Sequence, residues 1–352
     1  MNSNYIQALI NQRHKINHPG LFHGKTGTAI VLYHLARKYN NHFFEDHADF
    51  LIDEISSTLN DNVIPLDFEN GLAGIGWGIE YLVQNGFLEA DTDEVLEELD
   101  NRIFQMLVSS DKKFQSIGLS NGLTGFGFYC LTRLKSTDQN SENNFILNRL
   151  LVEIVNNCSL LIDQKYFEVN DNSSFNLLWE TPVFLYFLGE LLKRNIYPKK
   201  VKKILDILSP AICSLLPQLH TNRVFLATVI ERLIPYYNNN RWRSHFELLI
   251  NNMDPEVILK KEIQKSNPSL GSGTTGILMI IHHLYKNKKG NDKINIFYRL
   301  ESIIESASYW DKINNSDTEN ALIQGTGLMF GLSGCLLSSA IFETEKQKEA
   351  VC

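Results

Sequence analysis

The sequence predicts an all-α fold built from helical hairpins, and three observations carry that prediction. A glycine-containing phrase recurs along the 352 residues at near-regular intervals. Between its copies, apolar residues fall at helical spacing. No segment of alternating apolar and polar residues competes as a run of strands.

The phrase is a polar residue, Gly, two residues, a second Gly and then an apolar run. It reads His23-Gly24-Lys25-Thr26-Gly27, Asn70-Gly71-Leu72-Ala73-Gly74 and Asn121-Gly122-Leu123-Thr124-Gly125, with late copies at Ser272-Gly273-Thr274-Thr275-Gly276 and Phe330-Gly331-Leu332-Ser333-Gly334. The first three leading glycines stand roughly fifty residues apart, a period typical of paired helices. The longer interval from Gly122 to Gly273 then has to hold two degenerate copies. They are placed near Trp179-Glu180-Thr181-Pro182 and near His220-Thr221-Asn222-Arg223. Seven units follow.

Each unit is read as two helices, with the phrase where the chain turns into the second. Val95, Leu99, Ile103 and Leu107 illustrate the first helix, an apolar stripe with acids on the other face. In the turn, Gly supplies unusual backbone angles and lets backbones approach closely. Asn70 and Asn121 are expected to cap the following helices. Such hairpins cannot bury their apolar faces alone, so neighbours must stack. The period does not distinguish an open solenoid from a closed ring.

These phrases, with Leu21-Phe22-His23-Gly24 ahead of the first and Ile75-Gly76 after the second, resemble the glycine turns of the LanC-like (lanthionine synthetase C-like) family. The resemblance runs from about Leu21 to Leu337. It implies a single domain over 1–352, an α/α toroid of about seven helical hairpins of the six-hairpin-glycosidase and LanC-like type. It also implies a cleft where the second helices begin, in which the family closes thioether rings. A zinc ion there holds a substrate cysteine as thiolate, because a free thiol is mostly protonated at neutral pH. The family's ligands come from a Trp-Cys-x-Gly turn and a Cys-His-Gly turn. In the matching frame Leu270-Gly271-Ser272-Gly273 this chain has Gly271 for the cysteine and Ser272 for the histidine, and no cysteine lies near Leu219-His220-Thr221-Asn222. The fourth turn, a His-Gly-x-x-Gly in the family, reads Trp179-Glu180-Thr181-Pro182. The implied reading is a protein without the zinc ligands. No cofactor is expected, zinc entering only if the resemblance holds despite Gly271 and Ser272.

Composition narrows the partners. The formal charge is −7, from 33 basic and 40 acidic residues, and the basic clusters, Lys199-Lys200 with Lys202-Lys203 and Lys286 to Lys289, are short. A nucleic-acid partner is therefore not expected. The chain carries no apolar run of bilayer length and no signal-peptide pattern at its start, and its five scattered cysteines fit a reducing compartment, so a cytoplasmic location without a membrane span is expected.

Candidate cleft residues are His23, Asn70, Trp77, Asn121, Trp179 and Ser272, with His23, Glu180 and Asp67 as the groups that could do chemistry. A His before a glycine turn is more often a hydrogen-bonded core residue than a ligand. Adjacent His282 and His283 point about 100° apart on a helix and cannot form a metal pair, while Cys213 and His220 flank Pro217. Asp67 and Glu69 before the second turn, with Glu180 in the fourth, keep open a carboxylate-based glycoside hydrolase, which needs two acids facing one bond. A thioether-forming cyclase with an unrecognised zinc site is the other enzymatic alternative. The reading preferred here is a component that binds a peptide substrate or a peptide-maturation enzyme.

Overall fold

A computed structural model describes residues 3–12, 16–58, 64–108, 114–263, 267–285, 299, 302–304 and 326–351; the basic stretch at 286–289 lies outside them. Among the described residues there are helices and no strands. They are α1 (Ser3–Gln12), α2 (Lys25–Tyr39), α3 (His42–Thr58), α4 (Leu72–Gln84), α5 (Thr92–Val95), α6 (Glu97–Val108), α7 (Leu123–Arg133) and α8 (Glu142–Asp163). There follow α9 (Glu180–Lys193), α10 (Pro198–Ser214), α11 (His220–Leu233), α12 (Asn240–Asn251), α13 (Pro255–Val257), a π-helical turn (Ile258–Glu262), α14 (Thr274–Tyr285) and α15 (Leu332–Val351). The five glycine phrases start α2, α4, α7, α14 and α15, and the two degenerate copies start α9 and α11. Every expected turn coincides with a helix start.

Four of the glycine turns share one geometry. The first N–H after the leading glycine donates to a carbonyl six residues before that glycine: Lys25 to His18 (2.8 Å), Leu72 to Pro65 (2.8 Å), Leu123 to Ser116 (3.1 Å) and Thr274 to Asn267 (3.0 Å). The loop thus satisfies helix donors with its own backbone. Gly24 and Gly122 occupy the cap positions, with φ −117° and −115° and no side-chain cap. These angles are open to any residue, so the expectation of unusual backbone angles is corrected for these two turns. Close approach is the reason instead. A Cβ on Gly24 would stand 2.4 Å from the His18 carbonyl oxygen, and one on Gly122 2.5 Å from Gly118 backbone atoms.

The chain divides into two compact units, 1–65 with 69–82 and 263–352, and 66–68 with 83–262. In the first, neighbouring turns are tied by backbone hydrogen bonds between positions two residues before each leading glycine. Gly271 donates to Met329 (2.5 Å), Met329 to Phe22 (3.2 Å) and Phe22 to Glu69 (2.9 Å). Here α15 packs on α2, so the last hairpin meets the first. The second glycines permit this contact: a Cβ on Gly27 would lie 2.8 Å from Leu328 Cβ, and one on Gly334 2.6 Å from Leu270 Cβ.

In the second unit Phe68 donates to the Ser120 carbonyl (3.0 Å), and α7, α9 and α11 pack in sequence with α8, α10 and α12 against them. Its largest buried charge is Arg133, fully buried. Its guanidinium reaches Asp100 (2.8 Å), Asp93 (2.9 Å) and the Thr92 hydroxyl (3.0 Å), and the Tyr129 hydroxyl donates to the same Asp100 (2.7 Å). One described helix, α8, is long and apolar enough to cross a membrane by length and composition, and half of that stretch is buried in the protein.

In both units the helices that follow the turns are buried nearly all round. Half-buried positions in their middles include His34 on α2, Trp77 and Tyr81 on α4, Met279 on α14, Leu337 on α15, Phe128 on α7, and Tyr186 and Glu190 on α9.

Candidate functional site

In the first unit the residue directly before the leading glycine is His23, Asn70, Ser272 or Phe330, and the structure brings two of these together. His23 Nε2 lies 3.0 Å from Glu69 Oε1, with the side chains 20% and 28% exposed. Its ring stacks on Phe330 at 5.7 Å between centroids and 17° between planes, while its Nδ1 is buried without a hydrogen-bond partner. Gly327 lies against it, since a Cβ there would stand 3.3 Å from Nδ1. His23 and Glu69 thus form an imidazole–carboxylate pair clamped by an aromatic ring.

Ser272 takes no part in that pair. Its hydroxyl meets Asn267 Nδ2 (3.2 Å) and the Ser269 hydroxyl (3.5 Å), within its own loop. Half-buried Asn70 packs its backbone on Gly20, where a Cβ would stand 2.6 Å from Asn70 Cα. Trp77 lies further along α4, half-buried and stacked on Tyr81 (5.4 Å, 15°). The Tyr81 hydroxyl in turn meets His34 Nε2 at 2.8 Å. Burial, with Arg37 adding to it, lowers the His34 pKa to about 4, so this imidazole is neutral at pH 7.

In the second unit Asn121 is exposed and Asp67 half-buried. Trp179 is only 7% exposed, its indole N–H donating to the Asn170 carbonyl (3.0 Å) and its ring edge-on to Phe225 (6.3 Å). This is a core tryptophan rather than an open wall. Glu180 is exposed and leans on the third turn: its Oε1 is 3.5 Å from the Ser116 hydroxyl, and a Cβ on Gly118 would meet it at 2.7 Å.

The start of α11, where the family's Trp-Cys-x-Gly turn would fall, holds a group that the sequence did not indicate. Glu262, from the π-helical turn, accepts the backbone N–H groups of His220 (2.7 Å) and Thr221 (2.8 Å). A carboxylate thus sits on the positive end of the helix. Both nitrogens of His220 are engaged, Nδ1 by the Asp254 N–H (2.8 Å) and Nε2 beside Arg223 Nη1 (3.4 Å). Cys213 instead faces the Ser209 hydroxyl at 3.9 Å. Burial raises the thiol pKa at Cys130, Cys158 and Cys213, and pushes Cys335 up to about 12. None of these four is a ready thiolate.

Among the described residues no group of three or more His, Cys, Asp and Glu side chains is placed to hold a metal ion. Zinc, which the resemblance implies, can be tested directly at the aligned position. A Cβ on Gly271 would stand 2.7 Å from Phe330 Cε1 and 2.9 Å from the Met329 carbonyl oxygen, so a ligand side chain at 271 has no room. The described residues at this turn do not fit the metal.

Residues 2–162 match the family described as lanthionine synthetase C-like protein. That matched segment spans the first three glycine turns with His23, Asp67, Asn70, Trp77 and Asn121. Among solved structures, one titled nisin cyclase is similar to this chain with a TM-score of 0.47 and 13% identity, over 97% of this chain and 81% of that one. No curated protein matches by sequence.

Phe330 and Glu262 are not among the site residues that the sequence indicates. Phe330 could have been found by register, since it stands before Gly331 as His23 stands before Gly24. Glu262 carries no such signal, being 42 residues from the helix it caps.

Proposed function

We propose that this chain is a LanC-like protein without zinc chemistry that binds a peptide, or a peptide-maturation enzyme, in lanthipeptide-type modification of ribosomal peptides. The observation that supports it is the packing at Gly271, where Phe330 and the Met329 carbonyl occupy the space a metal ligand would need. The glycine turns around that position keep their geometry, so the framework persists where the ligands do not. The half-buried stack of Trp77 and Tyr81 is the surface best suited to hold an extended peptide, since such rings present broad apolar faces.

Two measurements test the reading. Protein purified without chelators should carry far less than one zinc per chain by elemental analysis, because a resident site would retain its metal. About one zinc per chain would overturn it. Trp77→Ala should weaken capture of the peptide or maturation enzyme encoded beside this protein roughly tenfold, the loss of a modest interface anchor, with an unchanged melting temperature. A lowered melting temperature with full capture would make Trp77 a core residue and remove the proposed surface.

A further inference from the structure

We infer that Phe330 closes the former ligand position, and that the stack Glu69–His23–Phe330 now does the positional work of tying the turns of the first unit together. The inference rests on the zinc-less reading above in one respect, the alignment of Gly271 with the family's cysteine.

Two described groups lie against the ring of Phe330. One is the imidazole of His23, stacked at 5.7 Å and held from beyond by Glu69 at 3.0 Å. The other is the bare α-carbon of Gly271, where an added Cβ would meet Cε1 at 2.7 Å and Cδ1 at 3.1 Å. The Gly271 backbone cannot withdraw freely, because its N–H donates to the Met329 carbonyl at 2.5 Å. That carbonyl belongs to the residue before Phe330, so ring and backbone clamp position 271 together. Four turns, those that start α14, α15, α2 and α4, are thereby linked through side chains. The link runs parallel to the backbone hydrogen bonds from Gly271 to Glu69. A packed stack of this kind resists rearrangement, because close-packed interiors have few alternative arrangements. Restoring ligand side chains at 271 and 272 alone would therefore not recreate a metal site.

The test is a double-mutant cycle on the full chain, read by thermal unfolding. Gly271→Ala adds only the clashing Cβ and should lower the melting temperature. The same substitution on a Phe330→Ala background should lose about half as much or less, the residual coming from the Met329 carbonyl. Equal losses on the two backgrounds would overturn the inference. If Phe330→Ala does not fold, Phe330→Leu supplies the same comparison, since it also withdraws the ring edge. Zinc content of the unmodified protein, measured on the same preparations, judges the zinc-less reading separately. One zinc per chain would sink that reading, whereas additivity in the cycle would sink this one.

Discussion

At the scale of single residues, what a side chain lacks matters as much as what it carries. Gly24, Gly122 and Gly273 would each place a Cβ within 2.5 Å of a backbone atom in their own loop. Gly122→Ala should therefore cost about 3 kcal/mol, the upper end for overpacking, as a lower urea midpoint with an unchanged slope. A loss below 1 kcal/mol, the ordinary scale of a surface substitution, would mean that the loop relaxes and that the glycine is dispensable. His34 offers a second residue-scale prediction, in pH. Its pKa falls from 6.5 in the unfolded chain to about 4 in the folded one, so between those values the unfolded state binds more protons and stability rises with pH. Its contribution is complete above about pH 6.5 and is lost as pH falls toward 4. His34→Gln, which can still reach the Tyr81 hydroxyl, should flatten the stability profile between pH 6.5 and 4. An unchanged slope would assign it to other groups, of which His245, whose pKa burial also lowers, is the first to try.

Elements succeed or fail here by how their ends are satisfied. Helices α2 and α7 begin on glycine caps and are supplied by loop carbonyls, as α11 is supplied by Glu262 from 42 residues away. The two N–H bonds to that carboxylate are charge-assisted and lie at the positive end of the helix. Glu262→Ala should destabilise the protein by about 1 to 2 kcal/mol, the range of a lost cap. Faster amide exchange should appear in the first turn of α11 and not in α7. Uniform protection would show that the cap is decorative. The pairing of α6 with α7 depends on charge buried beside Arg133. Asp100→Ala strips the closest partner from a fully buried guanidinium and should cost about 3 to 5 kcal/mol. A loss near zero would mean that Asp93 alone suffices.

For the whole chain, the first unit is assembled from segments at opposite ends of the sequence. Lys38 reaches Ser339 across 301 positions at 3.4 Å, and α15 covers the buried face of α2. Truncation before Leu332 should uncover the apolar surface of α2 that packs on α15. The shortened chain should bind a hydrophobic dye and lose cooperative unfolding. Retained cooperativity would show that the rest of the first unit stands without its last helix. Contacts so distant in sequence are also slow to form, because loop closure comes before they can contribute.

The sequence by itself determined where the chain turns. Glycine pairs mark five helix starts, and the period located two more, at Glu180 and His220, although neither has the phrase. The signal survives because it is local: four of the glycine loops fold back on carbonyls six residues before their leading glycine. It also named His23, Trp77 and Ser272, and the absence of cysteine at 271. Tertiary structure alone decided what those residues do. Trp179 and Trp77 stand alike beside or within turns, yet one is buried in the core and the other is half-buried against Tyr81. That difference is set by which helix lies opposite, and no local pattern records it. The same holds for Phe330 at Gly271 and for Glu262 on α11. Each acts by filling space or capping a backbone donor contributed by a remote segment, and neither contact leaves a spacing in the sequence.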